Sequence, residues 1–344
     1  MSGHEMDIRT FAKILDISES TVSRAFSGKS PVRHETKRRI FQKAAELGYR
    51  PNGHLANNNL PFAREQIVVI HPLPGIRLGL DFFFSEMYEG INAVFQTVGW
   101  QVSPHLLFND IPLLGDFYYD VFKAANIHGI ICGCETDLYP DLKKRLDCWA
   151  KPFVLVGNHN PHGADNVRVD IEAGGRMVGE YFRRIGRRRP VVVLGDYKRE
   201  CLDDIERPLA RGKERGFLDG MKAGREEVVW IRGGYSYADG FASCLKLLQA
   251  GASFDCVFCG NDILATGFLA AAHAHGLKVP EDVVVFGFDN VEVSQFTVPA
   301  LSTVDLQRRE VGRAAAAGLL DLIRHKESRV NLTLKPQLIL RESA

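Results

Sequence analysis

Residues 18–27 read SESTVSRAFS: five short hydroxyls, one glutamate and one arginine within ten residues. An arginine fork matches the O6 and N7 acceptors of guanine, a glutamate can accept from cytosine N4, and a serine can do either. Short hydroxyls suit phosphate oxygens, contacts that fix register without reading sequence. Glu19, Ser20 and Arg24 could therefore read base edges while Ser18, Thr21, Ser23 and Ser27 grip a backbone. A capped helix with a solvated face would use the same residue types, so the surrounding elements have to decide.

Those elements are helical. Asp7 can cap a first helix whose apolar positions Ile8, Phe11, Ala12 and Leu15 recur at helical spacing. Asp16-Ile17 is a short turn, and Ser18 can cap a second helix carrying Val22, Ala25 and Phe26. After the breaker cluster Ser27-Gly28-Lys29-Ser30-Pro31, a third helix is expected over 33–47, stopped by Gly48. Two helices joined by a tight turn, with a third in support, make a helix-turn-helix unit. Such a unit lays the N-terminal residues of its second helix against base edges in the major groove.

Charge agrees. The chain of 344 residues carries a net +1, but residues 1–62 hold ten basic and six acidic side chains, +4, and the remainder carries −3. A small basic head on a slightly acidic body suits a polyanion-binding module joined to a regulatory body. Hydrophobic residues at 45% and charged residues at 25% are ordinary for a globular protein, and this length exceeds one simple core. No apolar run reaches the roughly 18 residues that span a bilayer, and MSGHEMDIRTFAKIL has no signal-peptide core, so a cytoplasmic location is expected. The seven cysteines are scattered and odd in number, which argues against a disulfide framework. Cys256 and Cys259 have CxxC spacing inside an apolar run with no second Cys/His pair at zinc spacing, so inert buried thiols are expected, with neither metal nor cofactor.

The segment 51–61, PNGHLANNNLP, is Asn-rich and bounded by prolines, the composition of a linker or marginal helix. Beyond Gln66 short apolar strands alternate with amphipathic helices. Strands are expected at 67–71, 102–108, 129–132, 153–156, 191–194, 227–231, 256–259 and 283–286, and helices at 84–98, 173–185, 212–223, 238–249 and 262–274. Repeated βα alternation implies parallel sheets covered on both faces, and about 280 residues suits two Rossmann-like lobes with a cleft at their strand C-terminal ends.

The string ISESTVSRAFSGKSPVRHETKRRIFQKAAELGYRPN resembles the DNA-binding head of the lactose-repressor/galactose-repressor (LacI/GalR) family of bacterial transcription regulators. Two body segments resemble the same family: FDCVFCGNDILATGFLAAAHAHGLKVPEDVVVFGFDN and VPALSTVDLQRREVGRAAAAGLL. The resemblance covers residues 6–342 or so. It implies an all-α helix-turn-helix head at 6–50, a hinge at 51–63, and an α/β effector-binding and dimerisation body at 64–344 of the periplasmic-binding-protein-like type. The lobes are expected at about 64–158 with 290–320, and at about 159–289 with 321–344. The implied function is repression of transcription under allosteric control by a small ligand, a sugar or sugar derivative or else a nucleobase, held between the lobes. Implied partners are double-stranded operator DNA and a second copy of the chain. The chain's end, PQLILRESA, adds no leucine-heptad helix, which favours a dimer over a tetramer.

The resemblance also carries residue roles. Thr36, Tyr49 and Asn52 match positions that touch the DNA backbone, and Leu55 falls in the hinge, where the family wedges a leucine into the minor groove. An ungapped register places Leu55 and Asn58 at the hinge's Ala-x-x-Leu positions, with Leu60 nearby, so the hinge departs from the pattern. Asp16 stands where the family has Gly or Ala, and Arg33 where it caps the third helix with Ser or Thr. In the body, Asn261-Asp262, opening a helix after a strand, and Asp289 match positions that bind polar groups of the effector. Lys213 occupies a position often held by an effector-binding arginine, Arg211 stands two residues earlier, and Tyr235 matches a stacking aromatic. Asp170 matches the acid before the second lobe's first helix, and capping that helix is its other role. Phe83, between Phe82 and Phe84, is either a flat wall for a sugar or core.

Two other functions fit less well. An enzyme of this fold would show GxGxxG after the first strand, GxxxxGK[ST] or GxSxG; HPLPGIRLG stands in the first place and the others are absent. A transport-type sugar-binding protein fits the body but leaves residues 1–60 without a purpose.

Overall fold

The computed structural model describes residues 6–27, 32–47, 49, 65–72, 82–107, 126–133, 151–157, 163–195, 208–325 and 327–344. The head is three helices: α1 (Ile8–Ile14), α2 (Glu19–Ser27) and α3 (His34–Leu47). Asp7 caps α1, its carboxylate accepting the Thr10 amide at 2.8 Å. Phe11, Ala12 and Leu15 from α1 and its end meet Val22, Ala25 and Phe26 from α2, and Ile40 and Ala44 from α3. The apolar positions read from the sequence thus converge on one small core. The turn between α1 and α2 needs Asp16 at φ 52°, the left-handed region that Asp tolerates better than most side chains. The guanidinium of Arg39 donates to the Leu15 carbonyl and ties α3 to that turn. α3 starts one residue later than expected, with the Arg33 carbonyl accepting the Lys37 amide at 3.0 Å.

The rest divides into two compact units, one including Gly312–Asn331 and the other running Arg168–Val311 with Leu332–Ala344. In the first, β1 (Gln66–Pro72) pairs in parallel with β2 (Gln101–Leu107) and β3 (Ile127–Cys132), and β4 (Phe153–Val156) extends the sheet to β5 (Asn166–Val169). The full order, with β11 (Asn331–Leu334), is β11-β5-β4-β3-β1-β2. Helix α4 (Phe82–Gln96) buries Met87, Ile91 and Phe95.

In the second unit, α5 (Ile171–Arg184), β6 (Pro190–Gly195), α6 (Pro208–Met221), β7 (Val229–Gly233), α7 (Tyr237–Gln249), β8 (Cys256–Cys259), α8 (Asp262–Ala274) and β9 (Val284–Phe286) follow in turn. Its sheet is parallel in the order β7-β6-β8-β9. Strands β6, β8 and β9 are buried along their whole length, as a sheet covered on both faces requires. Cys256 and Cys259 lie in that core with their thiols pushed far above the ordinary value by burial, so they are inert packing groups. Helices α5 and α6 cross at backbone contact: a Cβ on Gly216 would stand 1.9 Å from the Glu172 carbonyl oxygen.

The lobe boundaries differ from those expected. The chain changes unit at Val167/Arg168, Val311/Gly312 and Asn331/Leu332, so 159–167 and 321–331 belong with the first unit and 290–311 with the second. The reason lies in β10 (Thr303–Asp305), which pairs with β12 (Gln337–Ile339) and bridges Asp289 to Asp305 at the edge of the second sheet. Only within α9 (Arg308–Arg324) does the chain return to the first unit, where a Cβ on Gly312 would stand 2.0 Å from the Met87 carbonyl oxygen. Strands β5, β10, β11 and β12 and helix α9 were not among the elements expected from periodicity. The strands are only three or four residues long, too short to establish a period.

Candidate DNA interface and effector site

The second helix of the head gathers the chemistry first noticed in the sequence. Ser18 precedes α2, and its Oγ accepts the Thr21 amide at 3.2 Å. The same oxygen lies 2.9 Å from Ser20 Oγ and 2.8 Å from Thr21 Oγ1, so the hydroxyls form a linked row. Arg24 is exposed and folds back along its own helix, donating to the Ser20 carbonyl at 3.2 Å and to Thr21 Oγ1 at 3.3 Å. Glu19 pairs with Arg9 of α1 at 3.2 Å. Both side chains are thus at the surface and hold exchangeable partners. Ser23 and Thr36 are half-exposed. Ser27 ends α2, but its side chain, like Asn52 and Leu55, lies outside the described residues.

Tyr49 corrects an expectation. It is 2% exposed, stacks face to face on Phe11 with centroids 3.9 Å apart, and lies tilted against Phe26. Burial, with the Asp7 charge adding to it, pushes its phenol up to about 12. Tyr49 is a core residue that closes the head, not a surface contact. The Tyr49 amide donates to the Ala44 carbonyl at 2.9 Å, which holds the residue against α3.

In the second unit four of the expected effector residues, Asn261, Lys213, Tyr235 and Asp289, share one edge, the C-terminal ends of its parallel strands. Asn261 follows β8 and caps α8, its Oδ1 accepting the Leu264 amide at 2.7 Å. Lys213 reaches from α6 to donate to the Gly260 carbonyl at 2.6 Å, with its ammonium 4.2 Å from the Phe288 ring centroid. Arg211 lies two residues earlier on α6 and is exposed. Tyr235 follows β7 and lies over Gly195 at the end of β6, where a Cβ would come within 2.3 Å of its ring. Asp289 follows β9 at φ 110°, its amide donating to the Val304 carbonyl at 2.9 Å.

Asp170 immediately precedes α5, where a Cβ on Gly174 would come within 2.8 Å of the Phe288 ring. Its Oδ1 accepts the Ala173 amide at 2.9 Å, so it caps α5. The Phe83 backbone belongs to α4, but its side chain is outside the described residues.

Sequence reasoning placed Asp262 beside Asn261 at the start of its helix but not in this buried role, and it missed Thr303 and Arg341. Asp262 is completely buried, with its oxygens accepting Thr303 Oγ1 at 2.5 Å and the Val291 amide at 2.8 Å. Arg341 donates to Asn290 Oδ1 at 2.7 Å, to the Leu301 carbonyl at 2.7 Å and to Ser294 Oγ at 3.2 Å. The available signal was an acid opening the otherwise apolar run DILATGFLAAA. Among the described residues no group of His, Cys, Asp and Glu could hold a metal ion.

Residues 8–52 match the bacterial regulatory proteins of the lacI family, and residues 180–344 match the periplasmic binding protein-like domain. The chain belongs to the lacI family. This lacI-family regulator is 26% identical over 342 residues to the HTH-type transcriptional repressor PurR of Salmonella newport (strain SL254), across 98% of this chain and 96% of that protein. Among solved structures it is similar to the transcriptional regulator CelR in complex with cellobiose, at 22% identity and a TM-score of 0.70, covering 98% of this chain and all of that one. It is also similar to the lac repressor dimer bound to operator and the anti-inducer ONPF, at 21% identity and a TM-score of 0.67, covering 99% of both chains. The shared fold is a helix-turn-helix head followed by two parallel α/β lobes. As a lacI-family member the protein is a DNA-binding regulator rather than an enzyme.

Proposed function

We propose that the chain is an operator-binding transcriptional repressor, active as a homodimer and controlled by a sugar or sugar derivative. One observation carries the effector half: Asn261, Asp289, Lys213 and Tyr235 converge on the strand C-terminal edge of one sheet, where ligands of parallel α/β folds bind. A carboxylate, an amide, an ammonium and a flat ring are the groups that grip a hydroxylated ring. The sugars bound by the similar regulators, cellobiose in one and ribose in another, support that class. For the DNA half, Glu19, Ser20 and Arg24 read bases, while Thr21, Ser23, Ser27, Thr36 and Asn52 hold phosphates and Leu55 serves the hinge. Two heads related by a two-fold axis then require a pseudopalindromic site.

The test starts from a randomised duplex library selected on the full chain. The enriched site should be a pseudopalindrome. Its mobility shift is then measured across a panel of mono- and disaccharides and nucleobases. Release or tightening by a sugar, lost in Asp289→Ala while operator binding persists, supports the reading. A response to nucleobases alone, or an unchanged response in Asp289→Ala, overturns it.

A further inference from the structure

Asp289 is held in a costly conformation. Its φ of 110° and the 54° of Asn290 put two successive non-glycine residues at positive φ, where side-chain and backbone crowding is unfavourable. Such a turn persists only where its surroundings determine it. Asp262 brackets it from both ends. The Asp262 amide donates to the Phe288 carbonyl at 2.9 Å, just before the turn, and its Oδ2 accepts the Val291 amide at 2.8 Å, just after. Its Oδ1 accepts the Thr303 hydroxyl at 2.5 Å, and Thr303 Oγ1 in turn lies 3.3 Å from the Asn290 amide. The approach is so close that a Cβ on Gly287 would stand 2.1 Å from Asp262 Oδ1.

An acid in the first turn of a helix ordinarily serves that helix's own amides. Asp262 does not. Asn261 supplies the cap of α8, and both Asp262 oxygens point across to the turn and to β10. Burying a carboxyl completely is expensive unless each of its atoms is matched, as these are.

We propose that Asp262 is a positioning residue for effector recognition: its buried carboxyl fixes the Phe288–Val291 turn and so presents Asp289 at the sheet edge. The proposal rests on the reading that Asp289 contacts the effector. Other groups facing Asp262 are Asp289 from the turn, Arg308 at the start of α9 and Cys259 at the end of β8.

The test needs no effector and uses the full chain. In Asp262→Ala, amide exchange at residues 289–291 should rise at least tenfold while β6 and β8 exchange as in the wild type. Asp262→Asn, whose Oδ1 can still accept from Val291 and whose Nδ2 can donate to Thr303, should restore most of the protection. Unchanged exchange at the turn, or exchange raised equally in β6 and β8, overturns the proposal. If the turn loosens as expected but Asp289→Ala keeps its sugar response, the effector reading fails and the hold on the turn stands.

Discussion

Lys213 Nζ lies 4.2 Å from the centroid of the Phe288 ring while donating to the Gly260 carbonyl at 2.6 Å. One side chain of α6 thereby joins the end of β8 to the residue just before Asp289. A charged donor on a carbonyl contributes about 1.5–3 kcal/mol. Lys213→Met, which keeps the stem and removes the ammonium, should lower stability by about that amount. Urea denaturation of the full chain would show it, and a midpoint equal to the wild type would mean that Lys213 serves ligand binding alone.

Asp16 at φ 52° makes the turn before α2 in a conformation glycine adopts without penalty. Asp16→Gly should stabilise α2 modestly, and Asp16→Ala should cost about 1 kcal/mol. Amide exchange of α2 in the full chain measures both, and equal protection in the two variants would show that the turn is not under backbone strain.

Arg24 must leave the Ser20 carbonyl and Thr21 Oγ1 to reach a base. Arg24→Ala should weaken operator binding by about 1–3 kcal/mol and relax preference at one base position in each half-site. Repeating the duplex selection with the variant reads the second effect directly. Equal weakening on every sequence, with a shallower salt dependence, would make Arg24 a phosphate contact instead.

Burial, reinforced by the Asp289 charge, pushes the Asp262 carboxyl up to about 8 from an ordinary 3.8, against the pull of Thr303, the Val291 amide and Arg308. The folded state therefore keeps a proton that the unfolded chain gives up. That contribution to stability is fully present below 3.8 and is lost as pH rises through about 8. Thermal melts of the wild type should fall relative to Asp262→Asn across that window and run parallel above it. Parallel melts throughout would place the Asp262 carboxyl at an ordinary value.

Much was legible in the sequence because it rests on local rules. Asp7, Ser18 and Asp170 cap the helices their positions suggest, and the apolar spacing of α1, α2 and α3 forms the head's core. Buried parallel strands such as β8 announce themselves as unbroken apolar runs. The LacI/GalR resemblance, carried by the TVSR string of the head and by the GNDILATG and VVVFGFDN segments of the body, agrees with the family found here.

What tertiary structure alone decided involves residues distant in the chain. Tyr49 became core because Phe11, 38 positions earlier, offers its ring face. Asp262, Thr303 and Val291 meet through a turn whose φ angles no periodicity encodes. The crossings between units depend on the short strand β10 finding β12 near the end of the chain. Propensity and spacing are properties of neighbours along the backbone. Burial, and the charge state of a buried acid, depend on which groups the completed fold brings into contact.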